Sequence, residues 1–341
     1  MMRLPWFDYR APRSVAEAAK ILTGEGPQAM LIAGGTDLLP NMKRRHQTPK
    51  VLVSLRGIEE LRKTSNGSGI GLGSALTLAE ITRNEKIRTN STALYQAAAQ
   101  VATAHLRNMG TIGGNLCLDT RCTYYNQNYE WRKAIDFCLK KDGEICWVAT
   151  ASKRCVAVSS TDTAPALIAL NASVVLSGSS GDREIPVEAL FKNDGIDYLS
   201  RRPDEILTEI IIPQKNFKST YWKLRRRGSF DFPILGVAVA LKFSSGNIIE
   251  DARVALGAVA SRPFLVEKAS EYLKGKTLSD DVIAEASAMI ASRAKPMDNT
   301  DMDLYWRKEV ADDFAGYALR ELRGDDMRAT RIRISRQSLA S

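Results

Sequence analysis

The stretch from Ala29 to Leu38 reads AMLIAGGTDL, and it decides how the first third of the chain folds. Ala29 to Ala33 is a short apolar run, the length of a buried strand, and it ends at Gly34-Gly35-Thr36-Asp37. Glycines at a strand end let the backbone come within contact distance of a ligand and permit positive φ. Successive N–H groups in such a turn make a concave anion site, with phosphate the obvious guest. A plain tight turn would leave the same trace. The spacing is neither G-x-G-x-x-G nor G-x-x-x-x-G-K-[ST], so the common dinucleotide and P-loop readings fail.

Working outward, Ser14-Val15-Ala16-Glu17 has the form of a capping box opening the helix SVAEAAKIL. A basic helical piece around Met42 to Arg45 and a second strand, KVLVSL at 50–55, complete a small α/β unit. Thr77 to Glu80 is another capping box, and STALYQAAAQVATAHL (91–106) has the alanine-rich periodicity of a buried helix. It runs through Arg107-Asn108-Met109-Gly110 into a second glycine loop, Thr111-Ile112-Gly113-Gly114-Asn115. Two such loops can clamp the two ends of a pyrophosphate.

Further on come TDTAPALIAL, the strand ASVVLSG, a Gly-Ser turn, REIPVEAL and the β-rich run EILTEIIIP (205–213), with a domain boundary expected near 214–220. Beyond it, strands (YWKLRRR, ILGVAVALKF, ARVALGAVA) precede helices (LVEKASEYLKG, SDDVIAEASAMIASRA, YWRKEVADDFAGYALREL). That order predicts an α+β domain with a mostly antiparallel sheet. From Met327 the chain is basic without apolar period, which reads as a frayed tail or a subunit-docking arm.

The 341 residues, 44% hydrophobic and 26% charged, have the profile of an ordinary globular protein of two or three units. No apolar run approaches the roughly 20 residues of a membrane span. The opening MMRLPWFDYRAPRS lacks the features of a signal peptide, so a cytoplasmic location is expected. Lys and Arg number 48 against 39 Asp and Glu, a net +9 that keeps nucleic acid, anionic ligands and acidic partners open. All five cysteines fall between Cys117 and Cys155. Structural cysteines scatter with the core, so this confinement points to a shared ligand or shared chemistry. His46 and His105 have no metal-ligand spacing, and no Ser-His-Asp pattern is visible.

Taken in order, Ala33-Gly34-Gly35-Thr36-Asp37-Leu38, Leu106-Arg107-Asn108 before Thr111-Ile112-Gly113-Gly114-Asn115, and Ser160-Thr161-Asp162-Thr163-Ala164-Pro165-Ala166-Leu167 resemble the FAD-binding subunit of the molybdenum hydroxylases. That family includes xanthine dehydrogenase and carbon monoxide dehydrogenase; Glu205-Ile206-Leu207 and Lys223 extend the match over nearly the whole chain. The resemblance implies an α+β fold: a two-part FAD-binding domain of the vanillyl-alcohol oxidase / CO dehydrogenase flavoprotein type (1–216), a smaller C-terminal α+β domain (217–326) and a basic tail (327–341). It implies FAD contacts at Leu31, Ile32, Ala33, Gly34, Gly35, Thr36, Asp37 and Leu38, and at Thr111, Ile112, Gly113, Gly114 and Asn115. Backbone amides and Thr36 would hold the pyrophosphate. Val101 would lie beside the cofactor, Asp162 near its ribose or pyrophosphate, and Leu207 and Lys223 close to the flavin ring. A cation near the ring stabilises the reduced flavin. Read without the family, Lys223 is a solvated strand lysine and Asp162 a helix N-cap before APALIAL.

In most relatives only a few residues join the second glycine loop to the S-D-x-x-P-x-L helix, whereas here 116–159 form a long insertion holding every cysteine. This resembles the β subunit of 4-hydroxybenzoyl-CoA reductase, which holds an additional [4Fe-4S] cluster in that loop. Cys122, Cys138, Cys146 and Cys155 are the implied ligands; Cys117, directly after Gly-Gly-Asn-Leu, is assigned to the flavin loop. Spacing alone leaves iron–sulfur and zinc nearly even, and the flavin context favours the cluster. Tyr124, Tyr125, Tyr129, Trp131, Phe137 and Trp147 supply an apolar wall, or simply a satellite core.

The implied function is electron transfer, with substrate chemistry elsewhere and no catalytic residue in this chain. Ferredoxin would deliver electrons through the cluster and FAD to a small [2Fe-2S] subunit and a large molybdopterin subunit, in a dimer of heterotrimers. The overall reaction would be reductive dehydroxylation of 4-hydroxybenzoyl-CoA to benzoyl-CoA. Two alternatives stand beside it: another molybdenum hydroxylase acting on an aldehyde or N-heterocycle, and a basic four-cysteine zinc protein that binds nucleic acid.

Overall fold

A computed structural model describes residues 3–67 and 69–336, and three sheets organise them. The first is parallel, with Val51–Ser54 between Asp8–Arg10 and Ala29–Ile32, so that Leu52 faces both Tyr9 and Met30. The helix Val15–Glu25 makes the crossover that parallel strands require, and it buries Ala18, Ala19 and Leu22 with Val51 and Val53. Ser14 Oγ accepts from the Glu17 amide at 3.1 Å, while the Glu17 carboxylate accepts from the Arg13 amide at 2.8 Å, one residue earlier than the expected box. At Thr77 the box is complete.

The second sheet is antiparallel, in the order Thr64–Asn66, Gly69–Gly73, Ile206–Pro213, Ser173–Gly178, Gly181–Pro186. Its central strand pairs Ile210 with Leu72 on one side and Val174 on the other, so residues before and after the cysteine-bearing segment share one sheet. The third sheet, also antiparallel, runs Phe264–Leu265, Ile249–Gly257, Leu235–Phe243, Lys218–Leu224. The helices Glu267–Leu273 and Leu304–Arg323 pack on it through Ala269, Phe314 and Ala315, and Asp280–Arg293 packs against both of them and joins the same core through Ile290.

Between the second and third sheets lies the helix Thr163–Ala169, all seven residues of which are buried. Its Leu167 and Ile168 belong to a core that also contains Val174 and Ile210 from one sheet and Ala238 and Ala255 from the other. Each such large side chain contributes about 1.5–3 kcal/mol by leaving water. The helix therefore fixes the two sheets to each other and, with them, the position of Asp162 at its start.

Three elements differ from expectation. The helix foreseen over 91–106 is broken: Thr92–Ala99 ends, Ala102 takes φ +45, and Ala104–Arg107 restarts with Thr103 Oγ1 accepting from the Leu106 amide. The break frees two carbonyls, and Gln100 O accepts from Lys223 and Val101 O from Arg107, each within 3.0 Å. The described residues after Met327 are not frayed but form the helix Arg328–Arg336; the rest of the expected basic tail, 337–341, lies outside the described residues. Arg331 anchors it by pairing with Glu321 and lying 4.0 Å over the Trp222 ring, contacts that hydrophobic periodicity does not register. Asp162 does not cap its helix; Thr161 Oγ1 accepts from the Ala164 amide at 3.3 Å instead.

Candidate functional site

The strand Ala29–Ile32 delivers the first glycine loop against the second. A Cβ on Gly34 would overlap the Met109 carbonyl, and Gly35 has φ +70, so each glycine is required for its own reason. The amides of Gly34, Gly35, Thr36 and Asp37 donate to no other group among the described residues. The expected second loop is instead a short helix, Ile112–Leu116, capped by Thr111, and its donors are spent inside the chain. Ile112 N donates to Leu76 O, Gly113 N to Ser74 O, and Asn115 N to Thr111 O, all at 2.9 Å, and Gly114 N donates to Thr111 Oγ1 at 3.0 Å. The unspent backbone donors at this place are therefore in the first loop, and the second glycine stretch forms a rigid wall.

The two loops border a cleft of about 420 Å³. Leu31 to Leu38, Val101, Thr111, Gly113, Gly114, Asn115, Asp162 and Leu207 all line it. Ile112 does not; it is fully buried in the core beneath. Lys223 also stands behind the wall, where its Nζ lies 3.0 Å from Asp162 Oδ2, with the two side chains 0% and 3% exposed. The other carboxylate oxygen of Asp162 accepts from Tyr221 Oη at 2.9 Å. Burial pushes the Asp162 carboxyl up and the Lys223 ammonium down, and their mutual contact opposes both shifts. Asn115 Oδ1 accepts from Thr161 Oγ1, Thr163 N and Thr163 Oγ1, which leaves its Nδ2 for the cleft.

Several lining residues were not foreseen from sequence. Phe230, Asp231 and Phe232 come from the third sheet's loop and close one side, with the Phe230 amide bound to Ala102 O at 3.1 Å. The run Arg225 to Arg227 is accordingly not a free solvated face: Arg225 reaches Gln100 O at 3.3 Å, and Arg227 pairs with Asp231. Two aromatics flanking an aspartate next to an arginine run was the available signal. His105 sits on the short helix Ala104–Arg107 and does not line the cleft.

The cysteine segment contributes to the wall through Cys117, Leu118, Asp119 and Arg121. Arg121 pairs with Asp37 of the first glycine loop and donates to Asn41 Oδ1 at 3.0 Å. Asp119 accepts from Tyr125 Oη and from Lys140 Nζ, both at 2.9 Å. Cys122, Cys138, Cys146 and Cys155 are all buried, and Cys122 and Cys155 share an apolar cluster with Tyr125 and Ala157. Burial pushes the Cys122 thiol up to about 12 and that of Cys155 up to about 11, and neighbouring cysteines add to both shifts. Such thiols become thiolates only beside a strong positive charge such as a metal.

Among the described residues no three His, Cys, Asp or Glu side chains are gathered closely enough to hold a single metal ion. The donor set nonetheless suits a thiolate-ligated cluster, a larger object whose ligands stand further apart. Tyr129, Trp131 and Trp147 are exposed, so the expected wall is carried by Tyr125, with Tyr124 packed against the same cluster. Among the described residues no helix is long and apolar enough to cross a membrane.

Two mixed α/β units meet at a cleft whose free loop amides suit an anionic nucleotide, with a buried ion pair, Asp162 and Lys223, at and behind its wall. The family described as the FAD binding domain in molybdopterin dehydrogenase matches residues 5–215, and the CO dehydrogenase flavoprotein C-terminal domain matches 219–322. The chain belongs to the FAD-binding medium subunits of the molybdenum hydroxylases, of the carbon monoxide and xanthine dehydrogenase type. The glyceraldehyde dehydrogenase medium chain of Sulfolobus acidocaldarius is 28% identical, over 90% of this chain and 94% of its own. The nicotinate dehydrogenase FAD-subunit of Eubacterium barkeri is 26% identical, over 89% and 91%. A solved structure of carbon monoxide dehydrogenase from Hydrogenophaga pseudoflava superposes with a TM-score of 0.76 at 26% identity, covering 94% of this chain and 98% of that one.

Proposed function

We propose that this chain is an electron-transfer subunit that holds FAD along the first glycine loop and a [4Fe-4S] cluster on Cys122, Cys138, Cys146 and Cys155. The observation that carries the reading is a shared wall: Cys117, Leu118, Asp119 and Arg121 line the cleft, and the four buried cysteines follow in the same segment. A two-electron and a one-electron carrier then stand side by side. FAD supplies the conversion between the two; the chain supplies position. Free amides from Gly34 to Asp37 bind the pyrophosphate, Asn115 and Asp162 face the nucleotide, and Lys223 acts on the site through Asp162.

Partners of this subunit are a large molybdopterin subunit and a small [2Fe-2S] subunit, in a dimer of heterotrimers. The favoured reaction is dehydroxylation of 4-hydroxybenzoyl-CoA with electrons from ferredoxin, because the insertion resembles that branch. A second reading fits as well: oxidation of an aldehyde or N-heterocycle, favoured by relatives named for glyceraldehyde and nicotinate. An anaerobic absorption spectrum with flavin and iron assays tests the cofactors. Four irons and one FAD are expected, with iron lost in Cys138→Ser and kept in Cys117→Ser; flavin without iron would end the cluster reading. Turnover of the purified complex with 4-hydroxybenzoyl-CoA and reduced ferredoxin, against turnover with aldehydes, separates the two reactions.

A further inference from the structure

Arg132 is 1% exposed, and none of its three guanidinium nitrogens has a hydrogen-bond partner. A buried cation without acceptors is among the least tolerable groups in a protein interior. Its surroundings do not account for it. The rings of Tyr129 and Phe137 lie 6.0 and 5.8 Å from the guanidinium carbon, too far to replace hydrogen bonds. The nearest acid, Asp142, is 3.6 Å from Nη1 and its side chain is 40% exposed.

The location of Arg132 points to what is missing. It sits on the helix Tyr129–Ala134, started by Asn128 Oδ1, which accepts from the Trp131 amide at 2.9 Å. The Arg132 carbonyl accepts from the Phe137 amide at 2.7 Å, so the chain turns directly from this helix into Cys138. Asp142 in turn forms a backbone bridge with Cys138, which sets the guanidinium at the Cys138 turn. Three other cations near the cleft all have acceptors: Arg121 has Asp37 and Asn41, Lys140 has Asp119, and Lys223 has Asp162. Arg132 is fixed, desolvated and unspent on the turn that leads into Cys138.

We propose that Arg132 is the positioning residue that compensates the negative charge of the group held by the four cysteines, donating hydrogen bonds to its sulfur atoms. The inference rests on the cluster reading above. Four thiolates make an oxidised [4Fe-4S] group a dianion, and one electron makes it a trianion, with no bond made or broken and no proton moved. A fixed cation stabilises the trianion more than the dianion, so Arg132 raises the reduction potential. The reductant in the test is dithionite; in the working protein it is a low-potential one-electron carrier or the reduced flavin.

The test is a potentiometric titration of the purified complex, followed by the low-temperature EPR signal of the reduced cluster, for wild type, Arg132→Met and Arg132→Lys. At least a tenfold fall in the reduction equilibrium constant is expected for Arg132→Met, which is ~59 mV for one electron. Arg132→Lys keeps the charge and is expected to recover most of that fall at unchanged iron content. Wild-type potential in an iron-loaded Arg132→Met complex would overturn the inference and leave the cluster reading intact. Absence of a [4Fe-4S] EPR signal from the reduced wild-type complex would overturn both. A second measurement needs no variant to assemble: with isotope-labelled arginine, the reduced wild-type cluster is expected to show hyperfine coupling to guanidinium nitrogen, and its absence would overturn the assignment.

Discussion

Replacing Lys223 with Met leaves Asp162 as a buried anion whose remaining side-chain partner is Tyr221. Removing one member of a buried ion pair costs about 3–5 kcal/mol, because the other loses its counter-charge without regaining water. With the two side chains 0% and 3% exposed and 3.0 Å apart, this pair belongs at the upper end of that range. Asp162→Asn strands Lys223 in the same way, although Gln100 O still accepts from its Nζ at 3.0 Å and softens the loss. The double variant carries a neutral amide at position 162 and no lysine opposite it, so neither charge of the pair is left buried. It should be more stable than the sum of the singles by at least about 2 kcal/mol. Urea unfolding of the purified, flavin-loaded chain measures the three differences from wild type. The Lys223→Met deficit should also shrink in acid. Burial without the lysine raises the folded pKa of Asp162 above its unfolded value, so protonation adds stability that is fully present below about pH 3.9 and is lost as pH rises. Additivity of the two single effects to within ~0.5 kcal/mol would refute the reasoning, since it would mean the pair does not interact.

Gly34→Ala should cost about 1–3 kcal/mol of stability, as for an overpacked core, because the new Cβ meets the Met109 backbone. The loops must part, so flavin titration should also show affinity at least about tenfold weaker, ~1.4 kcal/mol; wild-type affinity would show that the contact between loops does not set the amide geometry. Glu321→Gln tests the C-terminal anchor. Burial tends to raise the Glu321 carboxyl, but Arg331, Thr220 and Trp222 together hold it below its ordinary value. A depressed folded pKa contributes stability that is present above the unfolded value and lost as pH falls, so the variant should be less stable at neutral pH and converge on wild type below about pH 4.3. A gap in the urea midpoint that stays constant from pH 7 to 3 would contradict this.

Much of the cleft is legible in the sequence because its determinants are local. A strand needs only its own apolar run, and Gly34-Gly35 and Gly113-Gly114 advertise backbone geometry wherever they occur. What stays hidden is pairing across distance. Asp162 reads as a cap because its neighbours are helical, yet its partners, Tyr221 and Lys223, arrive from another sheet. The break at Ala102 is invisible in an alanine-rich run, since the contacts that reward it come from Arg107, Lys223 and Phe230. Arg132 looks like one of three charges on the short helical run YEWRKA. Only burial separates it from Glu130 and Lys133.

The cysteine segment leaves and re-enters the fold at nearly one point. Arg121 and Val158 exchange backbone hydrogen bonds at 2.8 and 2.7 Å, and Asn299 ties both ends by accepting from the Thr123 amide and donating to Val156 O. The 36 residues from Cys122 to Ala157 therefore hang from a clasp. Neither the flavin cleft nor any of the three sheets takes a strand from them. Because no sheet strand lies in it, such a pendant can change its chemistry while every strand that carries the cleft stays in place; its contact with the cleft runs through Asp119, which Tyr125 and Lys140 hold.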